Sequence, residues 1–338
     1  MRILARFGVP ALLYVFLSAM VIFALFPAFF VVQAAFRPGQ SLYTLTLSLW
    51  PDHPTLDNFT YIFTQIPFPS WLRNSLGVSV GTMVAGLIGS ATGAYALSRF
   101  RFAGKQMTLI LLLAIQAFPS VLALIPIYLI LKTIGLVGSP FGLVLAYMSV
   151  ALVFCTWNLK GYFDTIPREL DEAALIDGCS VTQAFWRIIL PLSIPALAVT
   201  ALLMFLTAWN EWVMASVLLL DENTYTVPVG LWGLQNDYRV PWGYFAAASL
   251  IVSIPVIAVT ALLMFLTAWN EWVMASVLLL DENTYTVPVG LWGLQNDYRV
   301  PWGYFAAASL IVSIPVMALF LGLQRYFRAG LTVGGVKG

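Results

Sequence analysis

The sequence predicts an all-α, polytopic transmembrane helix bundle, because long apolar runs dominate the chain and charged residues are scarce. Of its 338 residues, 61% are hydrophobic and 9% are charged, whereas a soluble domain carries about 25% charged residues. A transmembrane helix needs roughly 20 apolar residues to cross about 30 Å of hydrocarbon. Runs of that kind occupy residues 9–36, 75–97, 107–131, 140–159, 194–220 and 243–266.

The first run, residues 9–36, is interpreted as an N-terminal anchor helix that is not cleaved. It follows Arg2 and Arg6, as in a signal peptide, but it is longer than the roughly 7–15 apolar residues of a signal sequence. With the N-terminus inside and alternating spans, 11 of the 16 Lys and Arg residues lie on inner segments and 5 on outer segments. This bias predicts that both termini are cytoplasmic.

The composition argues against an enzyme, a metalloprotein and a nucleic-acid-binding protein. The net charge of +1 gives no electrostatic footprint for nucleic acid. Two cysteines cannot build a disulfide framework or a zinc cluster, and a single histidine, His53, leaves little material for nucleophile pairs. Nothing matches the G-x-x-x-x-G-K-[ST] loop that cradles nucleotide phosphates. No catalytic, cofactor-binding or metal-binding residue is therefore assigned.

The chain contains an exact internal repeat. Residues Ala198–Val256 recur without a change as Ala258–Val316, and the tripeptide Ser-Ile-Pro brackets both copies. Solenoid repeats diverge in sequence and need several units to bury a core, so a single perfect copy has another origin. We interpret it as a recent duplication or a sequence-assembly error, with a selected functional repeat as the alternative. Removing one 60-residue copy leaves 278 residues and six spans.

With both copies present, residues 243–280 form an apolar stretch of 38 residues whose first charge is Glu271. A straight helix of that length would measure about 57 Å, far more than the bilayer thickness. A hairpin broken near Pro255 gives eight spans, six in the core plus two from the duplicated segment, and keeps the C-terminus inside. A single tilted span places the last three cations outside. The positive-inside rule favours the hairpin, although a turn without polar residues leaves backbone groups hard to satisfy.

The longest polar segment between spans, residues 160–191, combines several local features that agree. Pro167 can open a helix with an acidic first turn, and Gly178 stands where a helix ends in a left-handed residue. Ser180 with Gln183 fits a capping box. The sequence therefore predicts two short helices joined by a sharp glycine bend. The first helix offers a small apolar face that suits a soluble partner, formed by Ala173, Ala174 and Ile176.

This segment resembles the EAA loop of binding-protein-dependent ABC importer permeases, whose pattern is E-A-A-x-x-x-G followed by I-x-L-P. The flanking sequences and the tail Gly330–Gly338 resemble the carbohydrate-uptake branch, and the maltose-type permease subunit in particular. The resemblance covers nearly all of the 278-residue core, and the tandem copy is the departure from it. The residues that carry it are Glu172-Ala173-Ala174, Asp177-Gly178, Phe185, Ile188, Leu190-Pro191, Ile166-Pro167, Trp186-Arg187 and Ala208-Trp209-Asn210-Glu211.

The resemblance implies that residues 1–338 form one transmembrane permease domain and that residues 164–191 are a cytoplasmic coupling loop. In such permeases this loop docks into a cleft of the ATPase, which makes Glu172, Ala173, Ala174, Asp177 and Gly178 the expected coupling residues. The alternative for Glu172 is a plain charge at a helix N-terminus. The cytoplasmic tail, residues 325–338, is expected to reach the ATPase as well, through Gly334, Gly335 and Lys337, unless it is only a loose terminus.

The resemblance also implies partners and a location. The expected partners are a dimer of cytoplasmic ATP-binding subunits, a second related permease, an extracytoplasmic solute-binding protein, a sugar and the lipid bilayer. No cofactor and no nucleic acid are expected. The expected location is the inner membrane of a bacterial cell. Maltose, maltooligosaccharides or trehalose fit best as substrates, while other oligosaccharides, polyols and glycerol phosphates remain open because specificity lies largely in the binding protein.

The transport path is less clear from the sequence. Asn210 and Glu211, with their copies Asn270 and Glu271, interrupt apolar runs, and ionisable groups in a membrane usually face a cavity or a partner. They are interpreted as a possible polar lining or gate, or else as helix-packing hydrogen bonds. Trp209 and Trp212 could stack on sugar rings or belong to an interfacial aromatic belt. Small residues at every fourth position predict close helix packing, namely Gly77, Gly81, Ala85, Gly89 and Gly93.

Two other functions stay open at this stage. One is an ion- or proton-coupled secondary sugar transporter that uses Glu211, although such a carrier has no need of a docking loop. The other is a permease inactivated by the duplication, which would fail to assemble or would assemble without transport.

Overall fold

A computed structural model describes residues 2–40, 50–117, 120–235 and 240–270, together with a few separate positions between 276 and 315. Within these residues the secondary structure is helical, as predicted. Contacts divide the chain into two compact units, Met1–Ile254 and Pro255–Gly338. All of the packing described below lies within the first unit.

The helices of the described residues differ widely in length. Four of them are long and apolar enough to cross a membrane, and two further bent pairs raise the number of spans to six if each pair counts as one. The helices are α1 (Arg2–Phe36), α2 (Asp57–Thr64), α3 (Phe68–Arg99), α4 (Lys105–Ala117), α5 (Leu124–Thr133), α6 (Pro140–Thr165), α7 (Glu169–Ile176), α8 (Val181–Ala184), α9 (Leu190–Leu192), α10 (Ile194–Asn210), α11 (Val213–Leu218), α12 (Val227–Gln235) and α13 (Trp242–Asn270).

Two predicted spans are not single helices. The run 107–131 is divided between α4 and α5, and the pair Lys105–Gln116 and Val121–Thr133 bends by 102°. The run 194–220 is interrupted after Asn210, and α11 follows as a separate short helix. Hydropathy reports how apolar a run is but not where its backbone turns, which explains both differences.

The predicted hairpin break near Pro255 is wrong, because α13 continues through Pro255 to Asn270. A turn at that point would have to leave several backbone groups without partners among apolar side chains. A proline within a helix removes a single hydrogen bond, so the helix is the less costly solution. Most of the second copy lies outside the described residues, and the predicted total of eight spans stays a prediction.

Small residues set the packing of α3 against α6, as predicted. A Cβ added at Gly81 would lie 3.1 Å from Val144, one at Gly89 would lie 3.0 Å from Leu152, and one at Gly93 would lie 3.6 Å from Thr156. Residue numbers rise together along these three contacts, so α3 and α6 run in the same direction. Gly77 has no such neighbour and lines a groove of about 450 Å³ between the two helices.

Helix α10 packs on another side of α3 and runs the opposite way. A Cβ added at Gly86 would lie 3.0 Å from the Sδ atom of Met204, while Leu197, nearer the start of α10, packs in one cluster with Ala91 and Ala94, nearer the end of α3. Helices α3 and α6 therefore run one way and α10 runs the other, as alternation requires of the second, fourth and fifth predicted spans. By contrast, the side chains of residues 14–30 in α1 are all exposed, as expected for a helix that faces lipid.

The beginning of α3 holds the segment between α11 and α12. The Trp71 Nε1 group donates a hydrogen bond to the Glu222 carbonyl at 2.8 Å, and the backbone N–H of Val227 donates to the Ser75 hydroxyl at 2.8 Å. The Trp71 ring is 2% exposed and lies against the backbone of Gly230, where a Cβ would overlap it. We call this end of the bundle the Trp71 end, and the opposite end of α3 the Arg99 end.

Candidate functional site

The coupling loop predicted over residues 164–191 has the local structure that its sequence indicates. Helix α7 ends in a Schellman motif: the N–H of Gly178 bonds to the Leu175 carbonyl at 3.1 Å and that of Cys179 to the Ala174 carbonyl at 2.9 Å. Gly178 has a φ of 83°, a left-handed conformation that side chains with a Cβ resist. The predicted glycine bend is confirmed.

The second part of the loop begins with the predicted capping box. The Gln183 N–H donates to the Ser180 hydroxyl at 3.2 Å, and the Ser180 N–H donates to the Gln183 side chain at 2.8 Å. After the single turn of α8, residues Phe185–Ile189 form one π-helical turn that leads into α9. A π turn inserts an extra residue and rotates the helix face, and here Phe185 and Ile189 are the buried side chains of that turn.

Helix α7 has an inner and an outer face. Glu172, Ala173 and Asp177 are exposed, whereas Ala174 is 3% exposed. The predicted apolar docking face of Ala173, Ala174 and Ile176 is therefore wrong for Ala174, because residue 174 lies three positions after Asp171 and shares its buried side of the helix. Larger apolar side chains extend outwards instead, and the exposed ones on this loop are Leu170, Leu175, Ile176, Val181 and Trp186.

The inner face of α7 is joined to α3 by a buried ion pair. The Arg99 Nε and the Asp171 Oδ2 lie 2.8 Å apart, with side chains only 7% and 14% exposed. The other carboxylate oxygen of Asp171 accepts a hydrogen bond from the Tyr95 hydroxyl at 2.8 Å. The Arg99 Nη2 also donates to the Ile166 carbonyl at 3.0 Å. Both oxygens of one carboxylate are thus engaged by the last turn of a predicted membrane span.

Two further contacts fix the short connection between α6 and α7. Arg168 donates through Nη2 to the Ser98 carbonyl at 3.0 Å. The Ser98 hydroxyl donates to Asp164 at 2.7 Å, and Asp164 also pairs with Lys160 one turn earlier. Arg168 therefore ties the turn before α7 to the end of α3, while the Ser98–Asp164 hydrogen bond joins the ends of α3 and α6.

An aromatic cluster at the Arg99 end supports the loop from the other side. The ring centroid of Phe185 lies 4.7 Å from that of Tyr95 and 6.5 Å from that of Phe163. Phe163 and Ile189 are completely buried. The same tyrosine thus packs against the π turn through its ring and binds α7 through its hydroxyl.

The sequence had not indicated Tyr95, Arg99 or Asp171 as functional residues. Arg99 is one of the inner cations that orient the spans, and Asp171 is one of three acidic residues in the first turn of α7. Their shared feature, a contact between residues more than 70 positions apart, has no local pattern. The sequence offers one feature that points to this contact: Asp171 and Ala174 are three positions apart, which places both on one face of the helix.

The Glu211 side chain caps the backbone at the start of α11. The Glu211 carboxylate accepts hydrogen bonds from the backbone N–H groups of Met214 at 2.9 Å and Ala215 at 3.2 Å, and so closes the break between α10 and α11. Asn210 donates to the Leu206 carbonyl of its own helix at 2.9 Å. This geometry favours the packing alternative over a gate, and the possible path residues stay a prediction.

The two tryptophans beside them differ. Trp209 is 1% exposed and donates from Nε1 to the Val252 carbonyl at 3.0 Å, which leaves no face for a sugar. Trp212 is 44% exposed and stacks with Trp232 at a centroid distance of 6.1 Å. Of the other predicted residues, Asn270 is the last of α13, while Glu271, Gly334, Gly335 and Lys337 lie outside the described residues.

Comparison with known proteins decides the family. Residues 85–254 match the model of the binding-protein-dependent transport system inner membrane component. The chain belongs to this family. The matched region contains the whole coupling loop and ends within the first copy of the repeat, at the residue where the first compact unit ends.

Several characterised relatives are similar over almost their whole length. The chain is 37% identical to the galactooligosaccharides transport system permease protein GanQ of Bacillus subtilis, over 96% of this chain and 94% of the relative. It is 32% identical to the maltose/maltodextrin transport system permease protein MalG of Vibrio vulnificus, over 96% and 94%. For the maltodextrin transport system permease protein MdxG of Bacillus subtilis the identity is 34%, over 96% and 95%. The resemblance to carbohydrate-uptake ABC permeases is confirmed.

A solved structure shares the fold. A chain from a bacterial ABC transporter involved in the import of the acidic polysaccharide alginate superposes with a TM-score of 0.68 at 24% identity, over 78% of this chain and 97% of that chain. The predicted all-α permease fold is thereby confirmed, and the protein is a multi-pass membrane protein.

Proposed function

We propose that this permease is the membrane-spanning subunit of an ATP-driven, binding-protein-dependent importer of sugars, and that its 164–191 loop couples it to a separate ATPase. The observation that carries the coupling role is the two-sided character of α7. Its inner face is tied to α3 by Asp171, while Glu172, Ala173 and Asp177 remain exposed. A helix fixed to the membrane bundle and open on its other side is suited to transmit movement from a docked partner.

The coupling residues have different parts in this proposal. Glu172, Ala173 and Asp177 contact the ATPase, and the left-handed Gly178 gives the sharp bend that ends the docking helix. Ala174 contributes through its small size, because it is buried and lets α7 lie close to the bundle. The tail residues Gly334, Gly335 and Lys337 form a second contact with the ATPase.

The proposed complex contains two ATP-binding subunits, this permease, a second related permease and an extracytoplasmic solute-binding protein. Both termini are cytoplasmic, which the distribution of Lys and Arg residues supports. The names of the relatives, which include galactooligosaccharides, maltose and maltodextrin, support an oligosaccharide as the substrate. Maltose, maltooligosaccharides and trehalose are the first candidates to test.

The experiment is uptake of radiolabelled maltotriose, maltose and trehalose into proteoliposomes that contain the complex purified through a tag on this chain. We expect uptake that needs ATP on the side of the ATPase and binding protein on the other side, and that persists when a protonophore abolishes the pH gradient. Uptake that runs on the proton gradient without ATP would instead establish a secondary transporter and reject the proposal.

A further inference from the structure

The Arg99 end of the bundle holds a group of three side chains that the proposed coupling contact with the ATPase does not use. We call Tyr95, Arg99 and Asp171 the α7 clamp. Arg99 and Asp171 lie 2.8 Å apart with side chains 7% and 14% exposed, and Tyr95 donates to the second carboxylate oxygen at 2.8 Å. No residue of the clamp belongs to the E-A-A-x-x-x-G pattern.

We propose that Tyr95 and Arg99 are positioning residues that fix the rotation of α7 about its own axis and make it move together with α3. The inference rests on the proposed function, in which the movement of α7 carries the action of the ATPase to the membrane bundle. In an α-helix each residue advances by about 100° around the axis. When Asp171 is held inwards, the neighbouring Glu172 is therefore held outwards, where the ATPase would meet it.

The clamp adds something that packing alone does not supply. The aromatic cluster of Phe163 and Phe185 holds the loop by apolar contact, which is strong but not directional. The Tyr95–Asp171 hydrogen bond is directional and charge-assisted, the Arg99–Asp171 ion pair adds an attraction between opposite charges, and both contacts act on α7 itself. Helix α7 is otherwise connected to α6 through only three residues and leaves through the bend at Gly178, so a rotation of α7 is the movement that the clamp prevents.

Helix α3 is the appropriate recipient of such movement. It packs against α6 through Gly81 and Gly89 and against α10 through Gly86, and at the Trp71 end it holds the segment before α12. A displacement of α7 that reaches Arg99 is thus passed to a helix in contact with much of the described bundle.

The first test measures the mechanical link without any transport. Spin labels are placed at Ile88→Cys on α3 and Glu169→Cys on α7, both exposed side chains, in a Cys179→Ser background that keeps the buried Cys155. The width of the distance distribution between the labels is measured in the full complex. We expect a narrow distribution in the parent and at least a twofold broader one with Asp171→Asn or Tyr95→Phe.

The second test measures sugar molecules imported per ATP hydrolysed in the same variants. Asp171→Asn and Tyr95→Phe are expected to keep most of the ATPase activity and to lower this ratio at least fivefold. The charge-exchanged double variant Arg99→Asp/Asp171→Arg should recover part of the ratio. The matched control is Lys160→Gln, which breaks the more exposed Lys160–Asp164 pair at the same end and should leave both readouts unchanged.

The outcomes separate the two proposals. If the width of the distance distribution is unchanged in Asp171→Asn and Tyr95→Phe, the clamp is overturned. A broader distribution with an unchanged number of sugar molecules imported per ATP would also overturn it. The clamp variants could broaden the distance distribution while the parent complex shows no ATP-dependent sugar import. That result would support the clamp as a mechanical link and reject the proposed function.

Discussion

Neighbouring acidic residues on α7 have opposite surroundings, although they look equivalent along the chain. Asp171 is largely buried and paired with Arg99, whereas Glu169 and Glu172 are exposed in the same first turn. The helix dipole favours a negative charge at all three positions. What distinguishes them is the face of the helix on which each one lies, so a charge in this turn can serve stability, position or partner contact.

Because Glu169 and Glu172 are both exposed in the first turn of α7, comparing them can separate a contact of Glu172 with the ATPase from a stabilising effect on the helix dipole. Glu169→Gln and Glu172→Gln each remove one exposed charge from the first turn of α7, and the dipole effect of either is worth only about 0.3–1 kcal/mol. We expect Glu172→Gln to lower maltotriose import and binding of the ATPase several-fold, and Glu169→Gln to leave both near the parent level. Equal losses in the two variants would mean that Glu172 acts only through the helix terminus.

The local structure of this loop could be predicted because each of its features depends on residues at most five positions apart. The Schellman bend needs Gly178 and its preceding turn, and the capping box needs Ser180 and Gln183. The clamp could not be predicted in this way, since Arg99 and Asp171 meet only after α3, α6 and α7 have packed together. The buried position of Ala174 was missed for the same reason.

At the level of elements, hydropathy predicted the existence of the spans better than their continuity. It located α3 and α6, and the spacing of Gly81, Gly89 and Gly93 predicted close packing on that face of α3, although not which helix lies there. It did not predict the break at Glu211, where a carboxylate caps the next short helix, nor the continuation of α13 through Pro255. Whether a helix breaks or continues depends on whether its backbone N–H and C=O groups find hydrogen-bond partners. Those partners are set by the folded structure and not by the hydropathy of the run.

The contact of α12 with α3 predicts different effects of the same substitution in α12 and at the matching position of the second copy. A Cβ at Gly230 would overlap the buried Trp71 ring, whereas one at Gly233 or at Gly290, the counterpart of Gly230 in the second copy, would meet no atom of the described residues within 4 Å. Overpacking a well-filled site costs about 1–3 kcal/mol. We expect Gly230→Ala to lower the thermal stability of the purified complex clearly, and Gly233→Ala and Gly290→Ala to leave it nearly unchanged.

The Gly290→Ala control also reports which copy occupies the place against α3. The sequences around Gly230 and Gly290 are identical over the whole repeat, so nothing local distinguishes their effects. A loss of stability with Gly290→Ala but not with Gly230→Ala would show that the second copy packs against Trp71 in the protein, and would contradict the arrangement described here.

At the scale of the whole molecule, the region that matches the family model lies entirely within the first unit. The family match ends at residue 254, and so does the first compact unit. The hydrogen bonds that hold α10 and α12 to the bundle, such as those of Trp209 with Val252 and of Val227 with Ser75, all fall within it. The second copy repeats the sequence of helices whose places in this unit are already filled.

Deletion of the repeat therefore has a defined expected result. Removing residues 257–316 joins Val256 to Met317, and removing 197–256 instead gives the same 278-residue chain except for Ile in place of Leu197. Leu197 is 9% exposed, and an exchange of Leu for Ile usually costs less than about 1.5 kcal/mol. We expect both shortened permeases to assemble with the ATPase and to import sugar at least as well as the full chain, in the proteoliposome assay.

The intact mass of the natural chain has to be measured first, because a protein lighter than 37.2 kDa by 60 residues would make the repeat an assembly error. With the full mass confirmed, the two deletions distinguish the remaining origins of the repeat. Transport by the shortened chains but not by the full chain identifies an inactivating duplication, and equal transport identifies a neutral one. Loss of transport in both shortened chains, with assembly retained, would show that the second copy is a functional repeat and would contradict the expected result.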